Sequence, residues 1–131
     1  MKFAVITHIE HFEKDGSFYS YGPYVREMNL WFKGVDEVQV VGTFSSKNPG
    51  SIDLPYKATR LQLIKVPSFD ITRIAQVGRA LLVLPVIIKK IYQAMSGADH
   101  IHLRCPGNMG LLGAIVQLFF PKKKKTAKYA G

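Results

Sequence analysis

Two stretches of this chain combine residue types able to hold a polar ligand. The first is His102-Leu103-Arg104-Cys105-Pro106-Gly107-Asn108-Met109-Gly110. An arginine at the end of an apolar β-type run, followed by a helix start that Asn108 can cap, places a guanidinium fork beside unpaired N–H groups. Such a pairing anchors a carboxylate, a phosphate or a sugar hydroxyl. The second is Tyr19-Ser20-Tyr21-Gly22-Pro23-Tyr24, at the end of a long connection that begins at His8. Gly22 permits close backbone approach at a helix start, and the tyrosines offer faces on which a sugar or base stacks. Tyr21, Gly22, Arg104, Gly107 and Asn108 are therefore the candidate ligand residues. Gly110 and Gly113 continue the three-residue glycine spacing and are read as packing positions.

Other chemistries are disfavoured. Neither a G-x-G-x-x-G fingerprint nor a P-loop pattern is present. His8 and His11 flank Glu10, and His100 and His102 share a strand face, but no third and fourth ligand joins either pair, so no metal is expected. Cys105 is the single cysteine, which leaves no disulfide and points to a reducing compartment. No residue stands out as its base, so it reads as a small buried thiol. No cofactor is expected.

The elements that must position these residues follow from punctuation and periodicity. Short apolar runs at Lys2–Thr7, Asp36–Thr43, Arg60–Val66, Ala98–Leu103 and Thr126–Ala130 read as strands. His8–Tyr21 and Ser45–Tyr56 read as loops. Helices are expected from Gly22-Pro23 to Gly34, from Ile71 to Met95 and from Asn108 to about Phe120, the last stopped by Pro121. In the second helix Ile74, Val77, Leu81, Leu84, Ile88, Ile91 and Met95 form one face at steps of three and four. Strands alternating with helices over 131 residues predict one α/β domain, a Rossmann-like parallel sheet with helices on both faces. The chain ends just after the last strand, without a closing helix, which marks residues 1–131 as an incomplete domain or half of a larger protein.

Charge is unevenly distributed. The 18 Lys+Arg exceed the 9 Asp+Glu, and the excess lies entirely beyond residue 60, where Asp70 and Asp99 are the only acids. A one-sided positive field draws polyanions. The longest uninterrupted apolar stretch of the second helix, Ala80–Ile88, is far short of the ~20 residues that cross a bilayer. Leu82, Val83 and Val86 fall on its outer side with Arg79, Lys89 and Lys90, the pattern of a helix resting on anionic lipid. Lys122 and Lys123, in the Lys122–Lys125 run, extend that basic surface. Burial of this outer side by a partner domain competes with the lipid reading. The N-terminus lacks the apolar run of a secretion signal, so the expected location is cytoplasmic, at the inner face of the membrane.

Four matched places resemble the N-terminal domain of a GT-B glycosyltransferase of the family 4-like group. They are the opening strand with its long loop into Gly22-Pro23, the helix from Ile71, the segment Gly97-Ala98-Asp99-His100-Ile101-His102-Leu103-Arg104, and Lys125-Thr126-Ala127-Lys128-Tyr129-Ala130-Gly131. The resemblance covers the whole chain but half of the family's protein. It implies an acceptor-side domain that works with a C-terminal domain holding a nucleotide-sugar donor. It also implies metal-free, generally retaining transfer to a lipid-linked or polysaccharide acceptor, with no nucleic acid involved. Members often carry paired glycines before the first helix, where this chain has Gly22 alone. No catalytic residue is assigned, and the isolated domain is expected to give no turnover. The alternative is a non-catalytic basic α/β module that docks on a membrane surface or nucleic acid.

Overall fold

The computed structural model describes residues 1–58, 60–67, 74–105 and 108–129, with 74–77, 79–80, 105 and 129 described by their backbone alone. Five parallel strands form the sheet: β1 (Lys2–Ile6), β4 (Glu37–Gly42), β6 (Leu61–Lys65), β7 (His100–Cys105) and β8 (Lys124–Tyr129), in the order β6-β4-β1-β7-β8. Helix α1 (Gly22–Trp31) covers one face, while α2 (Ile74–Gly97) and α3 (Asn108–Val116) cover the other. This is the Rossmann-like α/β fold expected from the alternation of elements.

The central strand shows why its sequence is a continuous apolar run. Phe3 and Val5 pack with Tyr24, Val25 and Met28 of α1, whereas Ala4 and Ile6 pack with Ile87, Ile91 and Met95 of α2. Each such side chain contributes about 1.5–3 kcal/mol when fully buried. On β7, Ile101 and Leu103 join the α2 side, which sends His100, His102 and Arg104 to the α1 side.

Residues 8–21, expected to be loop, instead hold an antiparallel hairpin, β2 (His11–Lys14) and β3 (Ser17–Tyr21). Asp15 and Gly16 close it with φ of 53° and 80°. Two left-handed residues in a two-residue turn match the right-handed twist of the strands they join. A short strand within the second expected loop, β5 (Asp53–Pro55), extends the hairpin into a second, three-stranded sheet.

Helix α2 buries Ile91 and Met95 as expected, but further toward its N-terminus the buried face is rotated from Leu81 and Ile88 to Ile87 and Val83, the latter expected on the outer side. Ile87, Ile91, Ala94, Met95 and Ala98 are buried and Val83 packs against them, while Leu81 and Ile88 are 65% and 40% exposed. The side chains of Ile74 and Val77, and residues 71–73, lie outside the description. Apolar residues surround this helix, so periodicity offers more than one stripe. On α1, Leu30 and Trp31 are exposed, while Tyr24, Val25 and Met28 are buried.

Candidate functional site

The chain leaves β1 in one direction to build β4 and β6, and returns on the other side to build β7 and β8. At that switch point the carboxyl ends of β1 and β7 diverge, the place where α/β sheets hold ligands. A crevice of about 380 Å³ opens there, lined by His8, Ile9, Tyr21, Pro23, Tyr24, Glu27, Arg104 and Lys128.

Arg104 is its deepest charge, 4% exposed. Its Nη1 donates to Glu27 Oε2 at 2.8 Å, and its guanidinium lies 4.9 Å from the centre of the Tyr24 ring. Lys128, paired with Arg104 in the β7–β8 register, places Nζ 3.2 Å from Glu27 Oε1. Partial burial would raise the Glu27 carboxyl, but hydrogen bonds from Arg104 and Lys128 outweigh it and hold the group below its usual range. The buried Arg104 Nε has no hydrogen-bond partner. Helix α1 begins at the same place, with Pro23 in its first turn, no side-chain cap and no acidic residue there.

A ring of hydrogen bonds fixes the floor. His11 Nδ1 lies 2.9 Å from the Ile9 carbonyl and its Nε2 2.6 Å from Tyr56 Oη, which is 2.8 Å from Tyr24 Oη. Tyr24 bonds Thr7, whose Oγ1 accepts from the Ile9 N–H at 3.1 Å. Burial pulls the His11 imidazole down to about 4 and pushes Tyr24 up to about 12. At neutral pH His11 is therefore uncharged, with one ring nitrogen facing the Ile9 carbonyl and the other the Tyr56 hydroxyl. The ring ties the hairpin to the sheet and holds Tyr24 under Arg104.

His100 and His102 do not form a metal site. Both bond Thr126 Oγ1, at 2.8 and 2.7 Å, and both pack against Phe3 and Trp31. Burial, reinforced by Arg104, lowers His102 to about 4. Among the described residues no three His, Cys, Asp or Glu cluster for a metal.

Of the residues expected from sequence, Tyr21 and Arg104 line the crevice. Gly22 serves packing: its N–H donates to the Ile52 carbonyl at 3.0 Å, and a Cβ would stand 2.5 Å from that oxygen. Asn108 starts α3, partly exposed and apart from the crevice lining. Gly107 lies outside the described residues. Gly113 is a packing position as expected, since a Cβ there would meet Leu103 Cδ2 at 2.6 Å. Tyr24 belongs to the tyrosine stretch singled out from sequence, whereas His8, Glu27 and Lys128 were not read as residues of this crevice, although Glu27 is the one acid in the α1 sequence. A larger groove of about 610 Å³, lined by Arg26, Asn29, Leu30 and Lys57 among others, has no buried polar side chain converging on it.

The basic residues read as membrane contacts divide. Lys123 Nζ donates to the carbonyls of Met95, Ser96 and Ala98 at 2.6–2.7 Å, which caps the end of α2 and corrects its reading as a surface contact. Lys90 Nζ donates to the Lys65 carbonyl at 2.6 Å. Lys89 and Lys122 are exposed, and the Arg79 side chain lies outside the description. No helix among the described residues is long and apolar enough to cross a membrane.

Fold and crevice together define a Rossmann-like α/β domain with a charged switch-point site. No family model, no curated protein and no solved structure matches the chain.

Proposed function

We propose that this chain is the N-terminal, acceptor-side domain of a GT-B glycosyltransferase acting at the inner face of a membrane. A C-terminal domain would supply the nucleotide-sugar donor. The observation that carries the reading is the switch-point crevice, where tyrosines and a carboxylate–arginine–lysine set converge at the carboxyl edge of the sheet. Tyr21, about half exposed, offers a ring face to a sugar, and Arg104, Lys128 and Glu27 offer donors and an acceptor to its polar groups. The test is to read the gene past the Gly131 codon, purify its whole product, and incubate it with a panel of nucleoside diphosphate sugars in EDTA. Nucleotide release is expected. A gene product that ends at Gly131, or a longer one that releases nothing, overturns the proposal.

The membrane part rests on a separate surface. Leu82 and Phe119 are 80% and 70% exposed, and Leu81, Val86 and Ile88 of α2 and Leu111 and Ile115 of α3 are exposed as well. Tyr92, 6.2 Å from Phe119 between ring centres, joins the α2 and α3 sides of this patch. Residues 100–131 contain no Asp or Glu, so the surrounding charge is cationic, which suits anionic lipid at about 1 kcal/mol per lysine near the surface. The chain is expected to sediment with phosphatidylglycerol vesicles and not with phosphatidylcholine vesicles, and Leu82→Ser with Phe119→Ser to abolish it. Equal binding to neutral vesicles, or binding to nucleic acid alone, sinks the membrane reading.

A further inference from the structure

We propose that the switch-point crevice is a phosphate site, so that the acceptor it serves is phosphorylated and is held there by its phosphoryl group. The inference rests on the acceptor-side reading above and names the substrate class. Among the described residues lining the crevice, Arg104 and Lys128 are cations and Glu27 is the only carboxylate. One carboxylate between two cations leaves a unit of positive charge. The uncapped start of α1, with no acid in its first turn, adds the positive end of a helix dipole, worth about half a charge.

The independent observation is the Arg104 guanidinium. It is almost fully buried, it lines the crevice, and its Nε–H has no acceptor. A buried charged donor left unpaired is costly, and an anion in the crevice would relieve it. Phosphate fits this deficit better than a sugar hydroxyl, which is neutral and would leave the excess charge unmet. An arginine fork also matches two phosphate oxygens at once. A crevice of about 380 Å³ falls within the size range of small-molecule sites, so the group attached to the phosphate has room against Tyr21 and Tyr24.

The test uses this chain and inorganic phosphate, with the Arg104 Nε–H resonance as the reporter and sodium acetate at matched ionic strength as the comparison. A saturable shift of that resonance with phosphate and none with acetate is expected. Lys128→Gln changes a half-exposed residue and should leave folding intact, weakening phosphate binding about three- to fivefold. Glu27→Gln removes the competing carboxylate and should tighten it by a similar factor. An equal response to acetate, an Arg104 resonance that does not saturate, or a Lys128→Gln variant that binds as well as the parent overturns the proposal. Nucleotide release by the whole gene product and phosphate binding to this chain are separate readouts, so failure here and failure of the glycosyltransferase reading are separable.

Discussion

Arg104 and Glu27 form an ion pair that is closed to water on the arginine side, with side-chain exposures of 4% and 24%. Arg104→Met removes a buried hydrogen bond but leaves Glu27 paired with Lys128, so it is expected to destabilise the domain by about 1–3 kcal/mol in urea unfolding. Gly22→Ala should cost about 1–3 kcal/mol, because the backbone oxygen of Ile52 must move to admit a methyl group. The buried histidines set the pH response. His11 and His102 titrate near 6.5 when unfolded and near 4 in the fold. Between those values the unfolded chain binds more protons, so stability falls as pH drops from 6.5 toward 4 and is flat with respect to these groups above about 7. Each contributes roughly 3 kcal/mol across that window. Glu27, held low in the fold, adds to the loss in acid. Urea midpoints at pH 7.5, 6 and 5 check this, and a constant midpoint would show that the imidazoles are hydrated in the fold. Tyr24 acts at the other end: with its folded value raised from 10 to about 12, stability present below pH 10 is lost as pH rises through that range.

Helix α2 ends on a lysine from elsewhere in the chain. Three carbonyls at its C-terminus converge on Lys123 Nζ, whose three N–H donors match them in number. Lys123→Ala is therefore expected to lower stability by about 1 kcal/mol, visible as a lower thermal midpoint, and to leave vesicle binding largely intact. Lys122→Ala should do the reverse, leaving the midpoint alone and weakening vesicle binding. The hairpin depends on its turn in the same local way. Gly16 has open space around it but a φ of +80°, so Gly16→Val is limited by backbone strain alone and should loosen the β2–β3 cover over the crevice floor.

Across the whole molecule the two sheet faces have different duties. The α1 face carries the hairpin, the hydrogen-bonded floor and the crevice; the α2–α3 face carries the core on one side and an exposed apolar, cation-flanked surface on the other. The Rossmann-like class was readable in the sequence because it follows from local signals: buried runs such as Lys2–Ile6, the Gly22-Pro23 helix start, and Pro121 as a stop. The place of Arg104 and Tyr21 at the crevice was readable because each adjoins an element end. The Asp15-Gly16 pair was a hairpin signal that the reading passed over, since His11–Lys14 has no clean alternation to support it. Which stripe of α2 is buried was not legible, because an all-round apolar helix is oriented only by what it packs against. The partners of Arg104 were not legible either. Glu27 lies 77 positions away and reaches it only once α1 crosses the sheet, and Lys128 reaches it only through the β7–β8 register. The strands of the main sheet, its helices and the sign of the surface charge could be read locally, because they are properties of neighbouring residues. The tertiary structure decided the site, because its charges meet only when distant segments are folded together.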